Sequence, residues 1–165
     1  MWEVGIMLAG FKNTLDSILS LLKENDLNAR YMECEGRFLF RIEEMMCDAG
    51  FGCDNVVLDV FFDEDEKVLF IGLLRFPKGN RRSGLGKKIL IKIMEYANQH
   101  HFFIYLDAWN ESQPFWKKYG FKHVYTDKYH FEILGYSGDG LDIFHEWEEF
   151  KKTKVFNMYL TCHEE

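Results

Sequence analysis

Along this chain the apolar positions change period several times, and each period predicts a different element. From Phe11 to Asp26, residues Phe11, Leu15, Ile18, Leu19 and Leu22 recur at spacings of three and four, the signature of an amphipathic helix. Asn13 and Asp16 compete for its N-cap. The stretch 29–50 reads two ways: Phe38-Leu39-Phe40 as strand, or Ile42, Met45, Met46 and Ala49 as a helix closed by Gly50. Val56 to Phe62 alternates, Asp63-Glu64-Asp65-Glu66 forms a polar turn, and an apolar run from Val68 to Phe76 follows. This predicts an antiparallel hairpin whose second strand is buried on both faces and ends at Pro77, which cannot donate to a ladder.

Beyond Gly84, residues Leu85, Ile89, Leu90, Ile93, Met94 and Ala97 share one helical face, predicting a helix from Leu85 to Asn98. A strand over Phe102 to Ala108 comes next, then a short helix over Glu111 to Tyr119, then a strand opening at Phe121. The glycines of 135–140 suggest a mobile loop. Leu141 to Lys152 reads as a helix with Phe144, Trp147 and Phe150 as its stripe, and Val155 to Thr161 as a closing strand. The order predicts an α/β (α+β) fold with mixed strand directions, as one domain over residues 1–165.

Composition narrows this picture. With 47% hydrophobic and 17% aromatic residues, the chain is an ordered globular protein. Met1-Trp2-Glu3 carries no basic patch, and Val4 to Ala9 is too short for a signal peptide or a span. A cytoplasmic location without membrane attachment is therefore expected. Cys34, Cys47, Cys53 and Cys162 lack paired ligand spacing, so free thiols and no metal are expected. His100-His101 fits the end of the preceding helix, where imidazolium complements the dipole.

The formal charge of −7 argues against a nucleic-acid partner. Its distribution says more. Residues 67–92 hold eight bases and no acid, whereas 1–66 hold fifteen acids against five bases. A basic turn on an acidic body predicts a small anionic ligand. The turn itself is Arg81-Arg82-Ser83-Gly84-Leu85-Gly86-Lys87-Lys88, between the apolar strand and the helix. Glycine lets amides face inward, and a helix N-terminus adds the positive end of its dipole, so the turn suits a phosphate group. A P-loop does not fit, because Arg81 stands at its first glycine and Lys88 at its hydroxyl. The dinucleotide fingerprint lacks its third glycine.

Arg81-Arg82-Ser83-Gly84-Leu85-Gly86 instead resembles the Arg/Gln-x-x-Gly-x-Gly/Ala pyrophosphate loop of the GCN5-related N-acetyltransferase (GNAT) superfamily. Phe115-Trp116-Lys117-Lys118-Tyr119-Gly120-Phe121 is similar to that superfamily's later aromatic-aromatic-x-x-x-Gly-Phe signature. The resemblance covers residues 67–125. It implies a mixed, mostly antiparallel sheet flanked by helices and splayed at the cofactor-binding strands. It also implies acetyl-CoA as co-substrate and a primary amine, on a small molecule or a peptide, as acceptor, in a monomer or homodimer. By the same carry-over, amides from Arg82 to Lys87, with Ser83, Gly84, Leu85 and Gly86 between, hold the pyrophosphate, and Arg81 and Lys87 add charge. The backbone of Leu74, Arg75 and Phe76 pairs with the pantetheine arm, and an amide near Phe76 holds the acetyl carbonyl. Asn110 and Trp116 sit where relatives touch the arm.

Many relatives protonate the departing thiolate with a tyrosine four residues before the signature glycine, where this chain has Trp116. Indole cannot act as an acid near neutral pH. Tyr119 and Tyr129 are candidates to replace it; water, or unassisted departure, are the alternatives. For the base, Asp107 is the first candidate and Asp59 the second, since a carboxylate in an apolar strand has its pKa raised. A CoA-binding sensor without turnover is the competing reading, supported by the missing tyrosine. The acidic body favours a cationic acceptor such as a polyamine or basic peptide.

Overall fold

The computed structural model describes residues 2–48, 52–81, 83–108, 110–126 and 132–163. Helix α1 spans Trp2–Glu24, starting well before the predicted Phe11. Strands β1 (Ala29–Cys34) and β2 (Arg37–Asp48) follow, then β3 (Gly52–Asp63) and β4 (Val68–Leu74). After a single 3-10 turn at Lys78–Asn80 come α2 (Leu85–His100), β5 (Phe103–Asp107), α3 (Gln113–Lys118), β6 (Lys122–Thr126) and β7 (Glu132–Tyr136). Helices α4 (Ile143–Phe150) and α5 (Lys154–His163) complete the order. Among the described residues the seven strands form one sheet in the order β1-β2-β3-β4-β5-β7-β6. Every pair is antiparallel except β4–β5.

Two cores sandwich this sheet. One face packs on α1, α2 and α3, with Phe11, Leu15, Ile18, Ile89, Leu90 and Ile93 fully buried. The other carries α4 and α5 on Phe61, Phe70 and Tyr105, with Trp147, Phe150, Phe156 and Tyr159 closing over them. The predicted hairpin, helix α2 and the strand after it lie where the apolar pattern puts them.

Four expectations need correction. The helical reading of Ile42 to Ala49 gives way to strand β2 as far as Asp48. Its ladder runs Arg41↔Val56 and then Met46↔Asp54, so β2 spends five residues where β3 spends two. That bulge puts Ile42 and Met46 inward at a spacing of four, imitating a helix. Asn55 Nδ2 donates to Ile42 O at 2.9 Å, satisfying a carbonyl there.

Gly135 belongs to β7 rather than a mobile loop. A Cβ there would stand 2.7 Å from the Tyr105 ring and 2.9 Å from Val124, so glycine is set by close packing. The predicted closing strand is helix α5 instead. Thr153 caps it, taking the Phe156 amide on Oγ1 at 3.2 Å, and the buried Phe156 and Tyr159 recur at spacing three. The cysteines are not all free thiols either. Cys47 and Cys53 are partners across the β2–β3 ladder, with Cα atoms 4.1 Å apart, and are joined as a disulfide. Cys34 and Cys162 are free and exposed. No helix among the described residues is long and apolar enough to cross a membrane.

Candidate functional site

Strands β4 and β5 start side by side and then separate. Their parallel ladder runs from Val68↔Phe103 to Ile71↔Leu106 and stops. Beyond it β4 stays paired with β3 on its other edge, through Leu73↔Asp59 and Leu74↔Leu58. Meanwhile β5 stays with β7, through Asp107↔Ile133. A gap therefore opens between two strands that each remain anchored on the far side.

Gly72 makes the turn-off. Val60 pairs with Ile71 and Asp59 with Leu73, so Gly72 is the extra residue of a β-bulge. The bulge re-aims the rest of the strand: Leu74 and Phe76 pack toward α1 and α2, whereas Leu73 and Arg75 line a cavity on the opposite face. The Arg75 amide donates to Val57 O at 2.9 Å. Antiparallel pairs alternate between bonded and unbonded, so Leu74, opposite Leu58, turns its N–H and C=O away from β3 and into the gap.

The loop after β4 reaches the same gap. Gly84 caps α2 at φ 82°, ψ 6°, a left-handed conformation in which an L side chain is strained by about 1–2 kcal/mol. No side chain caps this helix, and the Lys88 amide is the first to find a helical carbonyl, Gly84 O at 3.1 Å. Among the described residues the amides of Leu85, Gly86 and Lys87 have no acceptor, as expected of a first turn. Lys78, Lys87 and Lys88 stand on this surface with Ser83. The Ser83 hydroxyl donates to Asn80 O at 2.7 Å, and Asn80 Nδ2 donates to Asn25 O at 3.2 Å, tying the loop to the end of α1. Arg81 folds back, giving Nε to Phe76 O at 2.8 Å.

Over the gap on the α5 face lies Tyr159. Its ring rests against Gly72, where a Cβ would come within 3.0 Å of it, and its hydroxyl donates to Asp107 Oδ2 at 2.8 Å. One side chain thus bridges the two parted strands. Burial first, and then the Asp107 charge, pushes the Tyr159 hydroxyl far above its ordinary range. Asp59, the second carboxylate candidate, is buried in a fork with Arg37: Nε to Oδ1 at 2.9 Å and Nη2 to Oδ2 at 2.8 Å. The bond to Asp59 raises the Arg37 pKa further. So held, Asp59 is a fixed ion pair and not the free base its strand position suggested.

The structure gathers some predicted residues and not others. Leu74, Phe76, Arg81, Ser83, Gly84, Leu85, Gly86, Lys87 and Asp107 converge around the gap and the α2 N-terminus. Trp116 is buried against Phe121 and Phe115, at ring separations of 5.6 and 5.0 Å. Tyr119 ends α3 with its ring 5.3 Å from Phe115. Asn110 lies in the turn after β5, while Arg82 and Tyr129 fall outside the described residues. The sequence reading missed Gly72 and Tyr159. A lone glycine inside an apolar strand signals a bulge, whereas Tyr159 carries no local signal.

No protein-family model matches this sequence, and no curated protein matches it. Solved structures do resemble it in fold. A GNAT-family acetyltransferase from Staphylococcus aureus Mu50 is 17% identical, with 76% of this chain and 91% of that one covered, at a TM-score of 0.44. Tetrahymena GCN5 is 12% identical over 63% and 69%, at 0.45. Arabidopsis thaliana Naa50, bound to the bisubstrate analogue CoA-Ac-MVNAL, is 20% identical over 62% and 73%, at 0.43. These are acetyltransferases of the kind the two sequence motifs resemble, but likenesses this loose carry neither ligand nor activity across.

Proposed function

We propose that this protein is an acyltransferase of the GNAT kind that moves an acetyl group from acetyl-CoA to a primary amine. The observation that carries the reading is the gap itself. Two strands part at Ile71 and Leu106, an unpaired edge at Leu74 faces inward, and a helix opens its first-turn amides beside it. Those amides and the neighbouring lysines suit a pyrophosphate, and the Leu74 edge suits the amides of a pantetheine arm. Leu74, whose N–H turns into the gap, offers a donor for the acetyl oxygen, two residues before the expected position near Phe76.

Acetyl-CoA supplies an activated acyl group whose C–S bond breaks as the C–N bond forms. The chain's own residues handle the protons. Asp107 takes the proton that the attacking amine must lose. Tyr159 stays protonated until the thiolate forms, because burial first and then the Asp107 charge hold that proton on. When Asp107 gains a proton the charge part of this hold disappears, and the hydroxyl becomes a better donor when the thiolate needs one. Transfer along the 2.8 Å Tyr159–Asp107 bond then restores both groups. Tyr159 thus takes the role left open by Trp116, ahead of Tyr119.

The test is a melting curve with acetyl-CoA, followed by a thiol-release assay over a panel of primary amines. Saturation at a hundred times the dissociation constant stabilises the fold by about 2.7 kcal/mol, a rise of roughly five to ten degrees. No shift at millimolar acetyl-CoA overturns the reading. A shift with no thiol release across the panel makes the protein a CoA sensor instead.

A further inference from the structure

A cavity of about 220 Å³ lies on the α5 face, between β2, β3 and β4. Leu39, Val56 and Leu73 form its apolar wall, and Arg37, Arg41, Arg75, Asp54 and Asp59 supply its charges. It adjoins the point where the strands part: Leu73 and Arg75 follow the bulge, and Asp59 Oδ2 would stand 3.4 Å from a Cβ on Gly72. The cavity thus lies beside the point where β4 leaves β5, at the mouth of the gap.

Two of the three arginines are matched by carboxylates. Arg37 forks onto Asp59, and Arg75 Nη2 meets Asp54 Oδ1 at 2.5 Å. Arg41 is half-buried and, among the described residues, is paired with no carboxylate. Among the described residues, three cations against two anions leave the cavity lining one positive charge in excess. A half-buried guanidinium beside apolar walls binds a planar carboxylate through two parallel N–H bonds.

We propose that this cavity is the acceptor subsite and that the acceptor is an amine bearing a carboxylate, an amino acid or a peptide with a free C-terminus. This rests on reading the gap as the acetyl-CoA site. Arg41 receives the carboxylate and the amine lies toward Asp59 and Gly72. Arg41 stands two residues along β2 from Leu39, the ladder partner of Asp59. That is about 7 Å of strand, a span one α-amino acid covers with a hydrogen bond at each end. A single excess positive charge suits a carboxylate better than a doubly charged phosphate. The local charge also reverses the expectation drawn from the acidic body: polyamines and basic peptides meet arginine here.

Binding of the L-amino acids, and of dipeptides with free C-termini, is measured against the corresponding primary amides, on wild type, Arg41→Gln and Arg41→Lys. We expect at least one free acid to bind about tenfold tighter than its amide, the worth of a hydrogen-bonded charge pair. Arg41→Gln brings that ratio to about one, Arg41→Lys keeps part of it, and the acetyl-CoA melting shift is unchanged in both. Thiol release with the preferred acid then shows a raised KM in Arg41→Gln with kcat nearly unaltered. Binding of none of these acids, equal binding of acids and amides, a ratio that survives Arg41→Gln, or tight binding without acetyl transfer each overturns the proposal. Loss of the acetyl-CoA shift in wild type is read separately and strikes the transferase reading, not the carboxylate preference.

Discussion

The two halves of β4 have similar apolar composition and stand in one strand, yet they do different work. From Val68 to Ile71 every residue is buried and both edges are paired, with β3 on one side and β5 on the other. From Gly72 to Leu74 every residue is half-buried and only the β3 edge is paired. One glycine separates a segment that holds the sheet together from a segment that leaves it open. Apolar character in a strand therefore says that a segment is covered, without saying by what: in the first half by protein, in the second, on the reading above, by a ligand.

The largest expected effect is in the closed half. Phe70 is fully buried and meets the rings of Phe61, Phe150, Phe156 and Tyr159. Phe70→Ala should cost about 3–5 kcal/mol in urea unfolding, whereas Leu73→Ala should cost less than about 1.5. Equal losses would erase the distinction between the halves. At the boundary, Gly72→Val drives a side chain against the Tyr159 ring, which lies 3.0 Å from its Cβ position. A loss of about 1–3 kcal/mol is expected, together with disproportionate loss of acetyl transfer, compared in one preparation by calorimetry and thiol release.

In the open half, Tyr159→Phe removes the hydroxyl but keeps the ring. Acetyl transfer should fall about a hundredfold or more while the melting shift with acetyl-CoA persists; an unchanged rate excludes Tyr159 as the proton donor. Gly84→Ala strains the left-handed cap of α2 and should lower stability by about 1 kcal/mol, with a smaller acetyl-CoA shift. The smallest effect on that contrast comes from helix α4. Burial, with Glu66, Glu149 and Asp63 nearby, raises the Glu146 carboxyl to about 8. Between its unfolded value, near 4.3, and about 8 the folded protein binds the extra proton, so stability falls as pH rises through that window. Urea unfolding of Glu146→Gln should flatten this slope and leave the contrast within β4 untouched.

Local pattern carried the sequence reading wherever contacts are local. The hairpin β3–β4, helix α2 and the Arg81 to Gly86 loop follow from periodicity and turn chemistry. Where geometry depends on a distant partner, the pattern misled. The bulge in β2 broke alternation in a segment whose register is set by β3. Gly135 looked mobile because the Tyr105 ring it accommodates lies thirty positions earlier. Tyr159 meets Asp107 across fifty-two residues, and nothing in either neighbourhood announces the meeting. The candidate site was legible at the α2 N-terminus, which one loop builds, and obscure where helix α5 brings Tyr159 to Asp107 from afar.

The placement of α5 bears on synthesis as well as chemistry. All seven strands leave the ribosome before it, so a nascent chain passes through a stage when Phe61, Phe70 and Tyr105 lack their aromatic lid. During that interval the sheet presents a greasy, adhesive face, attractive to chaperones and to other unfinished copies. Helix α5 thus both shields this face and delivers a hydroxyl to Asp107, tying escape from aggregation to the completion of the candidate site.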